Sequence, residues 1–251
     1  MIIATLDTLD LKPEQKTAVD GIESDLEKIG DASKDSRAKL EGDVGDGVSV
    51  GKIDHKKTDA DIKDLVAAVA ATEPTMQDAM NRLYKTLDAD QRKKLVETMR
   101  DKGKEMHEHM AEHGMGPGGK HEGMGPGGKE HEGMGEGPLM KLGDELGLTP
   151  EQKEKIRAKL EPQMKAHHAA MKEKMMAMEK HMDAVGTAFE GDKFDAKKAG
   201  VGVQAPEVVK AMATQRVQMA ETILAVLTPD QRAKFAAHIK EHAADTEEQA
   251  D

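Results

Sequence analysis

The sequence predicts an all-α protein made of two tandem long helical-hairpin units joined by a flexible Gly/His/Met-rich linker. Residues that favour helices are abundant, whereas aromatic residues, which favour strands, make up 2% of the 251 residues. A short helix-start pattern recurs four times at regular spacing. A segment rich in glycine separates the second copy of this pattern from the third.

The recurring pattern is a leucine followed four residues later by a glutamine. Leu87 lies 76 residues after Leu11, and Leu227 lies 79 residues after Leu148. This repeated spacing predicts that one unit has been duplicated. The residues of the four copies are Leu11 and Gln15, Leu87 and Gln91, Leu148, Thr149 and Gln152, and Leu227, Thr228 and Gln231.

Each copy has the chemistry of a helix N-terminus. Thr149 and Thr228 are favoured N-cap residues, and a proline suited to the first helical position follows each of them. The glutamine three residues after the cap closes a capping box. Asp88 can cap in the same way, but Lys12 has no acceptor and departs from the pattern. We therefore expect a helix to begin at each copy, with the first copy as the weakest signal.

Apolar residues three and four positions apart predict an outgoing and a returning helix between the paired copies. In the second half, the outgoing stripe is rich in methionine and ends at Phe189, and a turn follows from Gly191 to Gly202. In the first half, the turn is predicted near residues 51–54. The glycines of residues 41–47 are predicted to interrupt the outgoing helix there, and Pro74 is predicted to kink the returning one.

These patterns divide the chain into three parts. Residues 1–105 form a degenerate first unit, residues 106–138 form the linker, and residues 139–251 form the second unit with a short acidic tail. Glycine and proline are too frequent in the linker for it to pack a core.

Composition and missing motifs disfavour several classes of function. The net charge of −11 would repel the phosphates of nucleic acids. No apolar run approaches the length of about 20 residues that a membrane-spanning helix needs, and the first residues lack an export signal. Cysteine is absent, and no zinc-protease, nucleophile-elbow or phosphate-loop motif occurs. The sequence therefore predicts a protein that is not an enzyme, binds no nucleic acid and has no membrane span.

The second half resembles a known family. The paired Leu-Thr-Pro-Glu-Gln and Leu-Thr-Pro-Asp-Gln patterns, which bracket a Met-rich hairpin with Phe194 and Asp195 at its turn, resemble the LTxxQ family of periplasmic stress proteins that includes Spy, CpxP and ZraP. The resemblance is strong over residues 139–242 and looser over residues 9–100. It implies an ATP-independent chaperone or metal-responsive protein of the periplasm, built from long helices. Whether the two units pair within one chain as a pseudo-dimer or with a second chain as a homodimer stays open.

The resemblance and the methionine stripe together imply that the partners are unfolded or stress-damaged proteins. Flexible thioether side chains adapt to many partners, and an elongated helical shell leaves apolar surface exposed. The alternative is that the stripe is the buried seam between the two arms of the hairpin, because periodic apolar stripes usually mark a core. The predicted client-binding residues are Met164, Met171, Met175, Met178 and Met182.

Histidine and methionine recur through the linker and the segment before it, and this predicts an alternative function. Imidazole suits zinc and copper(II), whereas thioethers suit copper(I), so the protein would be a periplasmic heavy-metal sensor or buffer. No cofactor is required, and zinc or copper would be an optional ligand. The competing interpretation is a solvated linker without ligand function. The predicted metal ligands are Met106, His107, His109, Met110, His113, His121 and His131.

Overall fold

The computed structural model describes residues 3–6, 8–112 and 138–248. This part of the chain contains helices and no strand, so the predicted all-α class is confirmed. None of the described helices is long and apolar enough to cross a membrane. The helices are α1 (Ile3–Leu6), α2 (Pro13–Asp31), α3 (Lys34–Val50), α4 (His55–Ala71), α5 (Glu73–Thr86), α6 (Ala89–Glu112), α7 (Pro138–Glu145), α8 (Pro150–Glu190), α9 (Ala205–Leu224) and α10 (Pro229–Glu248).

The four helix starts and the two turns lie where the sequence places them. Helices α2, α6, α8 and α10 each begin within the recurring pattern. One turn joins α3 to α4 at residues 51–54, and the other joins α8 to α9 at residues 191–204. The returning arm of the first half breaks at Thr72, between α4 and α5, as Pro74 predicts.

The prediction that the glycines of residues 41–47 interrupt the outgoing helix is wrong. Helix α3 runs through all of them, and the outgoing arm breaks earlier, between Asp31 and Lys34. A Cβ on Gly45 would lie 3.0 Å from Cε of Lys240 on α10, and a Cβ on Gly47 would lie 2.8 Å from Cα of Ile53. Close packing therefore uses these glycines inside a helix, although their intrinsic propensity disfavours one.

Contacts divide the chain into two compact units, and each unit is built from three segments. Unit 1 contains Met1–Ser33, Ala67–Lys120 and Ala169–Glu207, and unit 2 contains Lys34–Val66, His121–His168 and Val208–Asp251. Each unit thus combines the paired helix starts of one half of the sequence with the turn of the other half. These compact units differ from the sequence units 1–105 and 139–251, whose boundaries remain a prediction about sequence organisation.

The core of unit 1 combines residues from both halves of the sequence. Phe189 and Ala196 belong to the second half, and the other members belong to the first. The aromatic ring of Phe189 is 2% exposed, which places it among the largest fully buried side chains described. The buried apolar residues of this core are Leu6, Leu9, Val19, Ile22, Ala79, Met80, Leu83, Leu87, Leu95, Val96, Phe189 and Ala196.

The core of unit 2 is built in the same way. Its first-half members come from α3, α4 and the turn between them, where Ile53 is buried. Its second-half members come from α8, α9, α10 and the segments that lead into α8 and α10. The buried apolar residues are Leu40, Val44, Val48, Ile53, Ile62, Leu65, Leu146, Ile156, Leu160, Ala213, Val217, Ala220, Ile223, Leu224, Leu227, Phe235 and Ala236.

Candidate functional site

A pair of glutamine side chains joins two helix starts within each unit. In unit 1, Nε2 of Gln15 donates to Oε1 of Gln91 at 2.7 Å, and Nε2 of Gln91 donates back to Oε1 of Gln15 at 3.0 Å. In unit 2, Gln152 and Gln231 make the same reciprocal pair at 2.7 and 3.1 Å. The glutamine of the recurring pattern therefore holds the first turn of one helix against the first turn of another.

The remaining polar atoms of these amides also have partners, as unit 2 shows. The second N–H of Gln152 donates to the carbonyl of Val226 at 2.7 Å, and that of Gln231 donates to the carbonyl of Gly147 at 3.0 Å. Their Oε1 atoms accept the backbone N–H groups of Thr149 and Thr228 at 2.9 and 3.0 Å. Each amide thus uses both of its donors and both of its acceptor positions, which is the full capacity of the group.

Unit 1 repeats this bonding on a less regular sequence. Gln15 donates to the carbonyl of Thr86 at 2.7 Å, and Gln91 donates to the carbonyl of Asp10 at 2.9 Å. The backbone N–H groups of Lys12 and Asp88 donate to the two glutamine oxygens at 2.9 and 3.0 Å. Lys12 provides no side-chain cap, yet the amide pair is complete. The pattern therefore depends more on its glutamine than on its cap residue.

The cap residues stabilise the first turns only locally. Oγ1 of Thr149 accepts the backbone N–H of Gln152 at 3.3 Å, and Oδ1 of Asp88 accepts that of Gln91 at 2.9 Å. In the first turn of α8, the backbone N–H of Glu151 and then the Thr149 side chain hold the pKa of the Glu151 carboxyl below its usual value. The predicted capping boxes are present, but the pairing between distant glutamines was not predicted. The near-equal spacings of 76 and 79 residues were the only signal for it.

The turn between α8 and α9 is anchored to α5 in unit 1. The rings of Tyr84, Phe189 and Phe194 have centroids 5.0 to 5.7 Å apart, and the Tyr84 hydroxyl donates to the carbonyl of Gly191 at 2.8 Å. Oδ1 of Asn81 accepts the backbone N–H of Ala196 at 2.9 Å. The turn at Phe194 and Asp195 is therefore a packing element of unit 1.

Ion pairs also join segments from both halves within unit 1. Arg100 on α6 lies 2.9 Å from a carboxylate oxygen of Asp183 and 2.9 Å from one of Glu190, both near the end of α8. The hydrogen bond that Nε of Arg100 donates to Asp183 is the largest of the effects that raise the pKa of the Arg100 guanidinium. Arg100 therefore stays charged, and its two ion pairs hold the end of α8 against α6.

Unit 2 has its own set of ion pairs between segments from the two halves. Arg216 on α9 contacts Glu41 on α3 at 2.5 Å, and the Glu41 side chain is 11% exposed. Lys240 on α10 contacts Asp46 on α3 at 2.6 Å, and this contact lowers the pKa of the Asp46 carboxyl.

A Cβ on Gly51, whose φ is +86°, would collide with the Arg232 guanidinium, so the turn after α3 fits only glycine there.

The methionines predicted to bind clients are exposed where their side chains are described. Met164, Met178 and Met182 are 48%, 46% and 48% exposed, so they do not lie in a buried seam. Two further methionines that were not predicted as client-binding residues, Met176 and Met212, are 62% and 52% exposed. The backbones of Met171 and Met175 lie in α8, but their side chains lie outside the described structure.

The predicted metal ligands fall largely beyond the described part of the chain. Residues 106–110 belong to α6, but the side chains of Met106, His107, His109 and Met110 are outside the described structure. His113, His121 and His131 lie outside the described residues altogether. Among the side chains that are described, no cluster of three or more His, Asp and Glu residues is arranged to hold a metal ion. The metal site remains a prediction from sequence.

Comparison with known proteins identifies the segment that carries the second glutamine pair. Residues 134–239 match a family model described as LTXXQ motif family protein. No curated protein and no solved structure gave a match to the chain. The matched segment contains α7, α8, α9 and the first part of α10, and so both regular copies of the recurring pattern. Residues 134–239 are therefore similar to the LTXXQ motif family, and the rest of the chain lies outside this match.

Proposed function

We propose that the protein is an ATP-independent chaperone of the periplasmic stress type that binds unfolded or stress-damaged proteins. The observation that carries this proposal is the exposure, each close to one half, of Met178 and Met182 on the part of α8 that belongs to unit 1. Met164, on the part of α8 that belongs to unit 2, is 48% exposed as well. Large apolar side chains are normally buried, and an exposed group of them commonly marks a surface for binding other molecules.

The chemistry of this surface suits partners of varied sequence. Thioether side chains are flexible and polarizable, so they can fit differently shaped apolar segments. Binding driven by burial of apolar surface needs no nucleotide hydrolysis. Exposed Lys174 and Lys180 lie between and beside the methionines of α8, where they help to keep the surface soluble. The similarity of residues 134–239 to a family of non-enzymatic, typically periplasmic proteins supports a binding function and the proposed compartment.

The proposal predicts that polar replacements on α8 weaken protection of clients. We expect the variant with Met164→Ser, Met178→Ser and Met182→Ser to need about tenfold more protein for half-maximal suppression of client aggregation, since each lost apolar contact weakens binding. The measurement is light scattering of an unfolding client protein against chaperone concentration, without ATP.

Two matched variants control this experiment. Replacing the same three residues by leucine keeps the surface apolar and should retain suppression. Val50→Ser removes a side chain that is 78% exposed at the end of α3, and it should also retain suppression. Full activity of the serine variant, with unchanged helicity, would contradict the proposal.

We propose metal buffering or sensing as a second candidate function, because five histidines and two methionines between Met106 and His131 are predicted ligands. Replacing the five histidines, His107, His109, His113, His121 and His131, by asparagine should abolish zinc binding in calorimetry at pH 7.5 while helicity stays unchanged. Zinc binding by the natural sequence should weaken below a pH of about 6.5, because only neutral imidazole is a ligand. Undiminished zinc binding by the asparagine variant would exclude these ligands.

A further inference from the structure

Methionine is the only sulfur-containing residue of this protein. The chain has 18 methionines and no cysteine. Where thiols are absent, thioethers are the side chains that oxidants such as hypochlorous acid or hydrogen peroxide attack most readily, and the first product is the sulfoxide. Oxidative damage to this protein is therefore directed at its methionines.

The described methionines differ sharply in their access to such oxidants. Met176 is 62% exposed and Met212 is 52% exposed, and Met164, Met178 and Met182 follow at 46% to 48%. We call these five the exposed methionines. Met80, by contrast, is 8% exposed in the core of unit 1. Because susceptibility follows exposure, the five should be oxidised well before Met80.

The fold does not rest on the exposed methionines. None of the five belongs to either core, whereas Met76 and Met99 pack against the core of unit 1 and Met219 packs against that of unit 2. Met178 and Met182 are four residues apart on α8, so they share one face of the helix. Oxidation of the five would change the surface and leave both cores intact.

We propose that the exposed methionines of each unit are reversible oxidation sites whose sulfoxides switch client binding off, an inference that rests on the proposed chaperone function. Each thioether sulfur loses two electrons and gains the oxygen of hypochlorous acid, which is reduced to chloride with release of a proton. Two thiols of a methionine sulfoxide reductase system reverse the step and leave as a disulfide with one water. The sulfoxide is polar, so it removes the apolar contact that a client needs.

The test uses the full chain treated with increasing amounts of hypochlorite. Peptide mass mapping should show one added oxygen at each exposed methionine before any appears at Met80. We expect the concentration for half-maximal suppression of aggregation to rise about tenfold, the effect of losing one or two methylene-sized contacts. Helicity measured by circular dichroism should stay unchanged, and sulfoxide reductase should restore suppression.

Two variants with equal numbers of substitutions decide whether these positions are responsible. The first replaces the five exposed methionines by leucine and should keep its suppression after hypochlorite. The second replaces Met106, Met110, Met115, Met124 and Met134 by leucine and should lose suppression as the natural sequence does.

Three results would overturn the proposal. They are oxidation of Met80 ahead of the exposed methionines, equal loss of suppression in both leucine variants, and no loss in the natural sequence after the five are modified. Failure of the chaperone function itself would be seen differently, because the untreated protein would then not suppress aggregation at all. In that case the mass mapping would still report whether the exposed methionines are the preferred oxidation site.

Discussion

Gln152→Ala should lower the free energy of unfolding by about 2 to 4 kcal/mol, because it leaves several half-buried polar groups without partners. The substitution removes the two hydrogen bonds between the side chains of Gln152 and Gln231. Gln231 is only 9% exposed. It also removes the bond to the Val226 carbonyl and the bond from the Thr149 backbone N–H. Denaturation with urea, followed by circular dichroism, measures the effect.

Thr149→Ala is the matched control within the same copy of the pattern. Thr149 is exposed and its side chain makes only local bonds, one accepted from the backbone N–H of Gln152 at 3.3 Å and one to the Glu151 carboxyl, so its loss should cost about 1 kcal/mol. The double variant Gln152→Ala and Gln231→Ala should be less destabilised than the sum of the single variants, because the two amides act as one unit. An effect of Gln152→Ala no larger than that of Thr149→Ala would show that the amide pair contributes little.

The sequence was sufficient for features that depend on neighbouring residues. Helices α8 and α10 begin at Pro150 and Pro229 because a threonine cap, a proline and a glutamine act within one turn. The break before α5 follows from Pro74 in the same local way. The similarity of residues 134–239 to the LTXXQ motif family was likewise predictable, since the motif lies in two short stretches of this segment.

Features that depend on distant residues could not be predicted. The amide of Gln15 meets that of Gln91 across 76 residues, and the Tyr84 hydroxyl reaches Gly191 across 107. Capping propensity predicts that a helix begins at each glutamine-containing pattern. It does not predict which two of these helix starts will pack together. Propensity also misjudged Gly45 and Gly47, whose missing side chains make room for Lys240 and Ile53. Tertiary packing overrides local preference at such positions.

For the candidate site, periodicity identified the methionines but not their environment. An apolar stripe marks one face of a helix, and it is equally compatible with a buried seam and with an open surface. Only the structure shows that Met164, Met178 and Met182 are exposed. Met176 is the most exposed methionine described, and it was left out of the predicted stripe.

Cutting the linker should leave the two pieces of the chain together. A protease site placed within residues 114–137 of the full chain allows the folded protein to be cut there. Each compact unit contains segments from both sides of this linker, and each core contains buried residues from both. We therefore expect the cut protein to elute as one complex in size-exclusion chromatography, with the helicity of the uncut protein.

Phe189→Ala in the cut protein tests whether these shared cores hold the pieces together. Phe189 is 2% exposed, and its ring centroid lies 5.7 Å from that of Tyr84, a residue on the other side of the linker. Truncation of a buried phenylalanine typically costs about 3 to 5 kcal/mol, which in a two-piece complex weakens association more than a hundredfold. The variant pieces should therefore separate at micromolar concentrations at which the unsubstituted pieces stay bound.

The uncut Phe189→Ala variant completes this experiment. In the intact chain the linker still joins the two halves of the sequence. The same substitution should therefore lower the free energy of unfolding, but the two halves should not separate. If the cut protein with Phe189 in place separated into two folded pieces, each half of the sequence would have to fold alone or pair with copies of itself. The shared cores of units 1 and 2 would then be dispensable, and the sequence units 1–105 and 139–251 would be the true folding units. Retention of the complex would instead show that the linker serves to keep two mutually dependent halves on one chain.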